Sequence, residues 1–224
     1  MSAPGAAVAL VLFDLDGTLV DTAPDMAAAA NRQRVERGLA PLPLAQLRPM
    51  VSHGARGMIG AALGSAPGDA GFDGLRVEFL AYYEAALCVH SRLFDGIAPL
   101  LDAIETRGLR WGIVTNKPAR YTDPLVRQLG LAQRAACVVS GDTTAHAKPH
   151  PEPLRHALRL AASAPGQAIY VGDDLRDIEA GRTAGLRTVA VGYGYLGNGA
   201  PPQRWGADAV VDTPAGLHDW LFGA

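Results

Sequence analysis

Four short segments of this chain carry side chains that could do chemistry together. Asp14 and Asp16 lie two residues apart in Leu12-Phe13-Asp14-Leu15-Asp16-Gly17-Thr18. Thr115, Asn116 and Lys117 follow the apolar run Trp111 to Val114. Lys148 sits in the proline-rich stretch Ala147-Lys148-Pro149-His150-Pro151, and Asp173, Asp174 and Asp177 follow Ala168 to Gly172. Carboxylates serve as nucleophiles, as proton donors and acceptors, or as ligands for a hard divalent cation. A hydroxyl, free N–H groups and an ammonium suit an anion such as phosphate. The combination points to an oxyanion handled beside a cation.

Each segment also has a plainer reading. Asp-x-Asp-Gly occurs in calcium loops and in ordinary turns. The calcium loop fails here, because the position six residues after Asp14 is Val20 and no glutamate closes the loop. Thr115 or Asn116 could simply cap a helix, and Lys148 could be a surface lysine beside a proline turn. Asp174 could cap a helix while Arg176 pairs with it at the surface. Taken one at a time, the residues leave these alternatives open. Their common placement at the ends of strand-like runs is harder to assign to chance.

The elements that must position them follow from the pattern. Ala7 to Phe13 is nearly all apolar and reads as a strand buried on both faces. Two aspartates at the carboxyl end of such a strand lie where open α/β sheets place their ligands. From residue 23 to 90 strand signals are almost absent. Helices are expected over Asp25–Arg37, Leu44–Val51, Gly54–Leu63 and Phe72–Leu87, a block that reads as a cap inserted after the first strand. Arg92 to Gly96 is expected to be a linker. Alternation then resumes, with strands at 110–115, 136–139, 168–172, 187–191 and 209–211. Helices are expected at 97–107, 119–129, 151–162, 178–184 and 215–221. This order predicts an α/β fold with a parallel sheet covered on both faces. The core is expected over 1–20 and 92–224, and the cap over 21–91.

Composition excludes several classes. Hydrophobic residues make up 49% of the 224, so the chain can bury a real core. A net charge of −2 with scattered arginines carries no nucleic-acid or membrane signature. Cys88 and Cys137 lie far apart in apolar surroundings and are expected to be reduced, which fits a cytoplasmic protein. No signal-peptide pattern or membrane-spanning run is present. Of the 20 basic residues only two are lysines, Lys117 and Lys148, which marks both as sites where a compact point charge is wanted.

With these segments in order, the chain resembles the haloacid dehalogenase superfamily of phosphotransferases. Asp14-Leu-Asp16-Gly-Thr18, Thr115-Asn116, Lys148-Pro149 and Gly172-Asp173-x-x-x-Asp177 match its four motifs. The resemblance implies a Rossmann-like core with a helical cap. It implies Asp14 as nucleophile, Asp16 as general acid and base, and Thr115, Asn116 and Lys148 around the phosphoryl oxygens. It further implies Mg²⁺ held by Asp14, the main-chain carbonyl of Asp16 and Asp173, with Asp177 close by.

Departures from other branches narrow the chemistry. Asp16 is absent from dehalogenases of the superfamily, phosphonatases need a cap lysine that this chain lacks, and the mutase relatives carry a histidine where Met26 stands. Phosphate ester hydrolysis remains, ahead of a sugar-phosphate mutase or a phosphate-binding module without turnover. Val51-Ser-His-Gly-Ala-Arg56, Tyr193-Gly-Tyr195 and Trp205-Gly-Ala-Asp208 are similar to the phosphoglycolate phosphatase-like group, especially its proteobacterial branch acting on N-acetylmuramate 6-phosphate. Both candidate substrates carry a carboxylate besides the phosphate. Arg56, on the turn that also holds His53, is expected to grip it, and Lys117 to add positive potential at the mouth. The expected partner is a small phosphate ester, and the expected assembly a monomer or homodimer.

Overall fold

Leu10, Val11, Leu12 and Phe13 have no exposed surface, which a strand achieves only inside a sheet covered on both faces. The computed structural model, which describes residues 8–196 and 199–223, places this strand, β1 (Leu10–Phe13), near the middle of a six-stranded sheet. Its neighbours are β4 (Arg110–Val114) and β6 (Ala168–Gly172), both parallel to it. β5 (Val138–Val139) extends one side beyond β4, while β7 (Arg187–Val191) and β8 (Ala209–Val211) extend the other. The chain fills one side of β1 and then the other. The carboxyl ends of β1, β4 and β6 therefore meet at a topological switch point, and Asp14, Thr115 and Asp173 each follow one of them.

Helices α5 (Ile97–Thr106), α6 (Ala119–Gln128), α7 (Glu152–Leu160), α8 (Leu175–Ala184) and α9 (Pro214–Phe222) flank the sheet. Their apolar stripes join the strands in clusters such as Val11, Phe13, Leu101, Ile104 and Ile113 on one face and Leu12, Leu154, Leu158 and Tyr170 on the other. Between β1 and β4 the chain departs through β2 (Val20–Asp21), builds α1 (Ala23–Glu36), α2 (Leu44–Leu47), α3 (Gly54–Leu63) and α4 (Phe72–Ala85), and returns through β3 (Arg92–Leu93). These helices pack around Met26, Leu47, Met58, Ile59 and Phe79, and Tyr121 and Tyr195 reach into that cluster from the sheet-bearing part. Among the described residues no helix is long and apolar enough to cross a membrane.

Three local expectations change. The first strand begins at Leu10 rather than Ala7, and Ala7 lies outside the described residues. The helix expected over Leu44–Val51 is α-helical only to Leu47 and then tightens into a 3₁₀ turn, Arg48–His53. Pro49 has no N–H to continue the α ladder. The expected linker after Arg92 begins as a strand that pairs antiparallel with β2, Val20 opposite Leu93 and Asp21 opposite Arg92. The departing and returning chain thus form one two-stranded ribbon.

Asp25 fastens that ribbon. Its buried carboxylate accepts hydrogen bonds from the main-chain N–H of His90 (2.8 Å) and Ser91 (2.9 Å) and from the Ser91 hydroxyl (2.6 Å). Removing this acceptor leaves three donors to be satisfied elsewhere. Asp25→Ala is expected to lower stability by about 2–4 kcal/mol in urea unfolding; a variant as stable as the wild type would remove this role.

Candidate active site

Gly17 sets the geometry of the first loop. Its φ is +89°, and a Cβ there would lie 2.2 Å from a carboxylate oxygen of Asp173. Only glycine can make this turn and let the β6 loop come so close. Gly172 plays the matching part, since a Cβ there would meet the Asp177 carboxylate at 2.3 Å. The result is a buried group of three carboxylates, Asp14, Asp173 and Asp177, whose oxygens gather within 4.8 Å of one another.

One cation answers them directly. The buried Lys148 ammonium donates to Asp14 Oδ1 and Asp177 Oδ1, each at 2.8 Å, and also contacts the Val114 carbonyl and the Tyr170 hydroxyl. Burial works against its charge, but the Asp14 and Asp177 carboxylates outweigh this and raise the lysine above its ordinary range. Asp173 has no cation beside it. Its oxygens accept from the Thr18 hydroxyl (3.0 Å) and the Tyr195 main-chain N–H (2.8 Å). Burial first, and then the charges of Asp14 and Asp177, push its carboxyl well above the usual range. Burial likewise raises Asp14 to about 7, against the pull of Lys148.

Once ionised, three carboxylates against the one ammonium found beside them among the described residues would leave an excess of negative charge in a buried place. An all-oxygen donor set of that kind fits a hard divalent cation. Asp177 is fixed as its neighbour rather than left free: Oδ1 bonds Lys148, and Oδ2 accepts from the N–H of Asp174 at the start of α8. The plainer reading of this segment also holds, but for a different residue. Asp174 caps α8 through the N–H of Arg176 and pairs with the Arg176 guanidinium. This cap starts the helix at Leu175, three residues before the expected Ile178.

The loop after β4 divides its duties. The Thr115 hydroxyl accepts from the Lys117 N–H at 3.1 Å, which leaves its proton to donate. Neither Thr115 nor Asn116 caps a helix; α6 begins at Ala119 behind Pro118. Asn116 is expected around the phosphoryl oxygens; its side chain exchanges two 2.9 Å hydrogen bonds with the Lys148 main chain, which leaves its main-chain N–H for that duty. Lys117 is not free at the mouth either. Its ammonium donates to Asp16 Oδ1 at 2.9 Å, so it faces the second aspartate. Burial opposes the Lys117 charge, and the Asp16 carboxylate more than compensates, lifting the lysine above its ordinary range. Asp16 Oδ1 also accepts from Thr22 Oγ1 at 2.5 Å, which ties it to the chain entering α1.

These groups share one cavity of about 630 Å³ between the sheet ends and the helices α1, α3 and α4. Asp14, Asp16, Thr115, Asn116, Lys117, Lys148, Asp173 and Asp177 line its floor. Its roof includes His53, Arg56, Arg76, Phe79 and Tyr83. Arg56 and His53 are exposed, as is Arg76, an unforeseen arginine on α4. Neither Arg56 nor Arg76 has a charged partner among the described residues, unlike Arg120, which forks onto Glu84. Sequence reasoning also missed Tyr170, Thr18 and Tyr195. The Tyr195 hydroxyl accepts from the N–H of Thr22 (2.7 Å) and Ala23 (3.0 Å) and donates to Asp21. Thr18 and Tyr195 stood inside quoted motifs without a role and could have been found there; Tyr170 carries no spacing signal.

Comparison with known proteins agrees with this geometry. The family model for haloacid dehalogenase-like hydrolases matches residues 11–191. The N-acetylmuramic acid 6-phosphate phosphatase of Pseudomonas putida is 49% identical over 214 residues, 96% of each chain. The phosphoglycolate phosphatase of Xanthomonas campestris is 47% identical over 207 residues, 92% of this chain and 93% of that one. Among solved structures, a predicted phosphoglycolate phosphatase from Haemophilus somnus superposes with a TM-score of 0.82. It is 27% identical, and the match covers 95% of this chain and 97% of that one.

The raised carboxyls have a measurable consequence. Asp14, at about 7, and Asp173, higher than usual, hold protons in the folded chain that the unfolded chain has already released. The folded state binds more protons, so metal-free stability must fall as pH rises. The melting temperature of chelator-treated protein is expected to drop between about pH 5 and pH 8, and millimolar Mg²⁺ to restore it at the upper end. A metal-free melting temperature that rises over this interval would contradict the assignment.

Proposed function

The chain belongs to the haloacid dehalogenase-like hydrolases, and on that footing we propose that it is a Mg²⁺-dependent phosphatase acting on N-acetylmuramate 6-phosphate. Asp14 is the nucleophile: a carboxylate oxygen attacks phosphorus, the bond to the ester oxygen breaks, and an aspartyl-phosphate forms. Asp16 gives its proton to the departing alkoxide, then takes one from the water that attacks phosphorus and frees Asp14. The Thr115 hydroxyl, the Asn116 main-chain N–H and the Lys148 ammonium hold the phosphoryl oxygens as charge moves among them. Asp14, Asp173 and the Asp16 carbonyl would hold Mg²⁺, with Asp177 adjacent. Bound there, the ion offsets the repulsion between a carboxylate and the phosphate it attacks.

The observation that carries the substrate choice is the cavity. At about 630 Å³, it lies within the range that encloses a drug-sized molecule, roughly 300–1,000 Å³. A two-carbon phosphate would leave most of it to water, whereas a phosphorylated amino sugar acid is large enough to reach both the reacting carboxylates and the arginines of the roof. Met26, Val51, Phe79 and Leu80 give its walls apolar surface for an acetyl group, and Arg56 and Arg76 stand ready for a lactyl carboxylate. The 49% identical relative named for that substrate supports the same reading. Phosphoglycolate is the alternative, supported by relatives named for it at 47% identity.

The deciding experiment compares kcat/KM for the two compounds with purified protein and Mg²⁺. The amino sugar phosphate is expected to be preferred; preference for 2-phosphoglycolate would overturn the substrate assignment without touching the chemistry. Asp14→Asn is expected to reduce turnover of either by roughly 10³-fold or more, and near-normal turnover would remove the proposed mechanism. Arg56→Ala and Arg76→Ala should each raise KM for carboxylated substrates more than for p-nitrophenyl phosphate. Equal losses on both would reject the role given to the arginines.

A further inference from the structure

Tyr83 on α4 is 3% exposed, and its hydroxyl oxygen is buried without a hydrogen-bond partner among the described residues. The ring itself is firmly placed. It stacks near Phe79 with centroids 6.5 Å apart and an interplanar angle of 12°, and it tilts against Tyr121 at 5.7 Å. The Lys117 ammonium lies 4.8 Å from its centre. Phenylalanine would meet the ring contacts equally well; what the phenol adds is its closeness to the Lys117 ammonium, which can only donate and leaves the hydroxyl proton without an acceptor among the described residues. A buried, unsatisfied hydroxyl is a standing cost to the folded chain, so its presence asks for a partner that arrives from outside.

The partner's direction is given by the cavity, because Tyr83 lines it beside Asp16 and Lys117. The Lys117 ammonium already donates to Asp16, and Asp16 is the group assigned to the leaving oxygen. Whatever reaches the phenol therefore belongs to the alcohol half of the ester. Burial holds the Tyr83 phenol up at about 12, so it meets that group as a donor at neutral pH. We propose that Tyr83 is a specificity-determining residue whose hydroxyl donates a hydrogen bond to an oxygen acceptor on the leaving alcohol, such as a sugar hydroxyl, ring oxygen or acetamido carbonyl. The inference rests on the phosphatase reading above and adds to it the residue that tests the substrate's alcohol half.

Tyr83→Phe separates this role from a structural one. It removes one oxygen and keeps the ring, so the folded chain loses a buried hydroxyl whose proton has no acceptor among the described residues, and its melting temperature, measured without substrate, is expected to be no lower than the wild type's. In the same variant kcat/KM for N-acetylmuramate 6-phosphate is expected to fall by about tenfold, with a loss several-fold smaller for p-nitrophenyl phosphate, whose leaving group offers no comparable acceptor. A lowered melting temperature, or equal losses on both compounds, would overturn the proposal. Should the wild type hydrolyse 2-phosphoglycolate but not the amino sugar phosphate, the substrate assignment falls. The melting temperature and the ratio of losses on 2-phosphoglycolate and p-nitrophenyl phosphate then still decide the role of Tyr83.

Discussion

A single buried ammonium holds this site together. Lys148 joins Asp14 at the end of β1 to Asp177 on α8, and without it two buried carboxylates would face each other uncompensated. Truncating one partner of a buried ion pair typically costs about 3–5 kcal/mol, because the remaining charge is stranded. The arrangement is deliberately incomplete. Lys148 answers Asp14 and Asp177 but not Asp173, and that shortfall is what gives the cluster its appetite for a divalent cation. The loop that carries the lysine is in turn fastened by the Asn116 amide. Even a side chain that does not face the cavity floor thus serves the charge that does.

The second constraint is where the helical insertion hangs. Departing and returning strands pair as β2 and β3, Asp25 ties the return, and the Tyr195 hydroxyl gathers Thr22, Ala23 and Asp21 at the departure. Arg48 then forks onto Asp21, with 3.0 and 2.8 Å contacts. Tyr195 also donates its main-chain N–H to Asp173, so one residue touches both the cation cluster and the root of the insertion. Across the cavity, Arg176 reaches the Ser52 carbonyl at 2.6 Å while it holds Asp174. The inserted helices and the loops at the sheet ends are therefore braced against each other through these polar contacts as well as through the rings of Tyr121 and Tyr195.

Much of this was legible from residue type and spacing. β6, β7, β8 and α3 fall where the pattern placed them, because buried parallel strands read as unbroken apolar runs and glycines mark helix ends. Asp14, Asp173, Asp177 and Lys148 converge because each ends or follows a strand of one sheet. What escaped notice were pairings between distant segments. Nothing local in Arg92-Leu93 announces a partner at Val20-Asp21, and a two-residue strand carries no periodicity. Lys117 is expected from its residue type to add positive potential at the mouth, and Asn116 from its motif to lie at the phosphoryl oxygens. Their side chains also bond Asp16 and the Lys148 main chain, 101 and 32 residues away, which no local pattern announces. Arg76 and Tyr83 sit about two turns apart on an ordinary amphipathic helix, where only the cavity distinguishes them from core and surface.

The chemistry and the selectivity thus come from different parts of the chain. On the proposed mechanism the sheet ends supply charge and the attacking carboxylate, and the inserted helices supply a roomy, partly apolar chamber with two arginines that have no charged partner among the described residues. The claim beneath both is that the buried carboxylates are assembled around a cation they do not yet fully balance. Calorimetric titration with Mg²⁺ addresses it most directly, comparing the wild type with Asp173→Asn. The expected result is saturable binding of one ion per chain, weakened at least roughly 10–100-fold by the substitution. Undiminished binding in the variant, or no saturable binding in the wild type, would contradict the account.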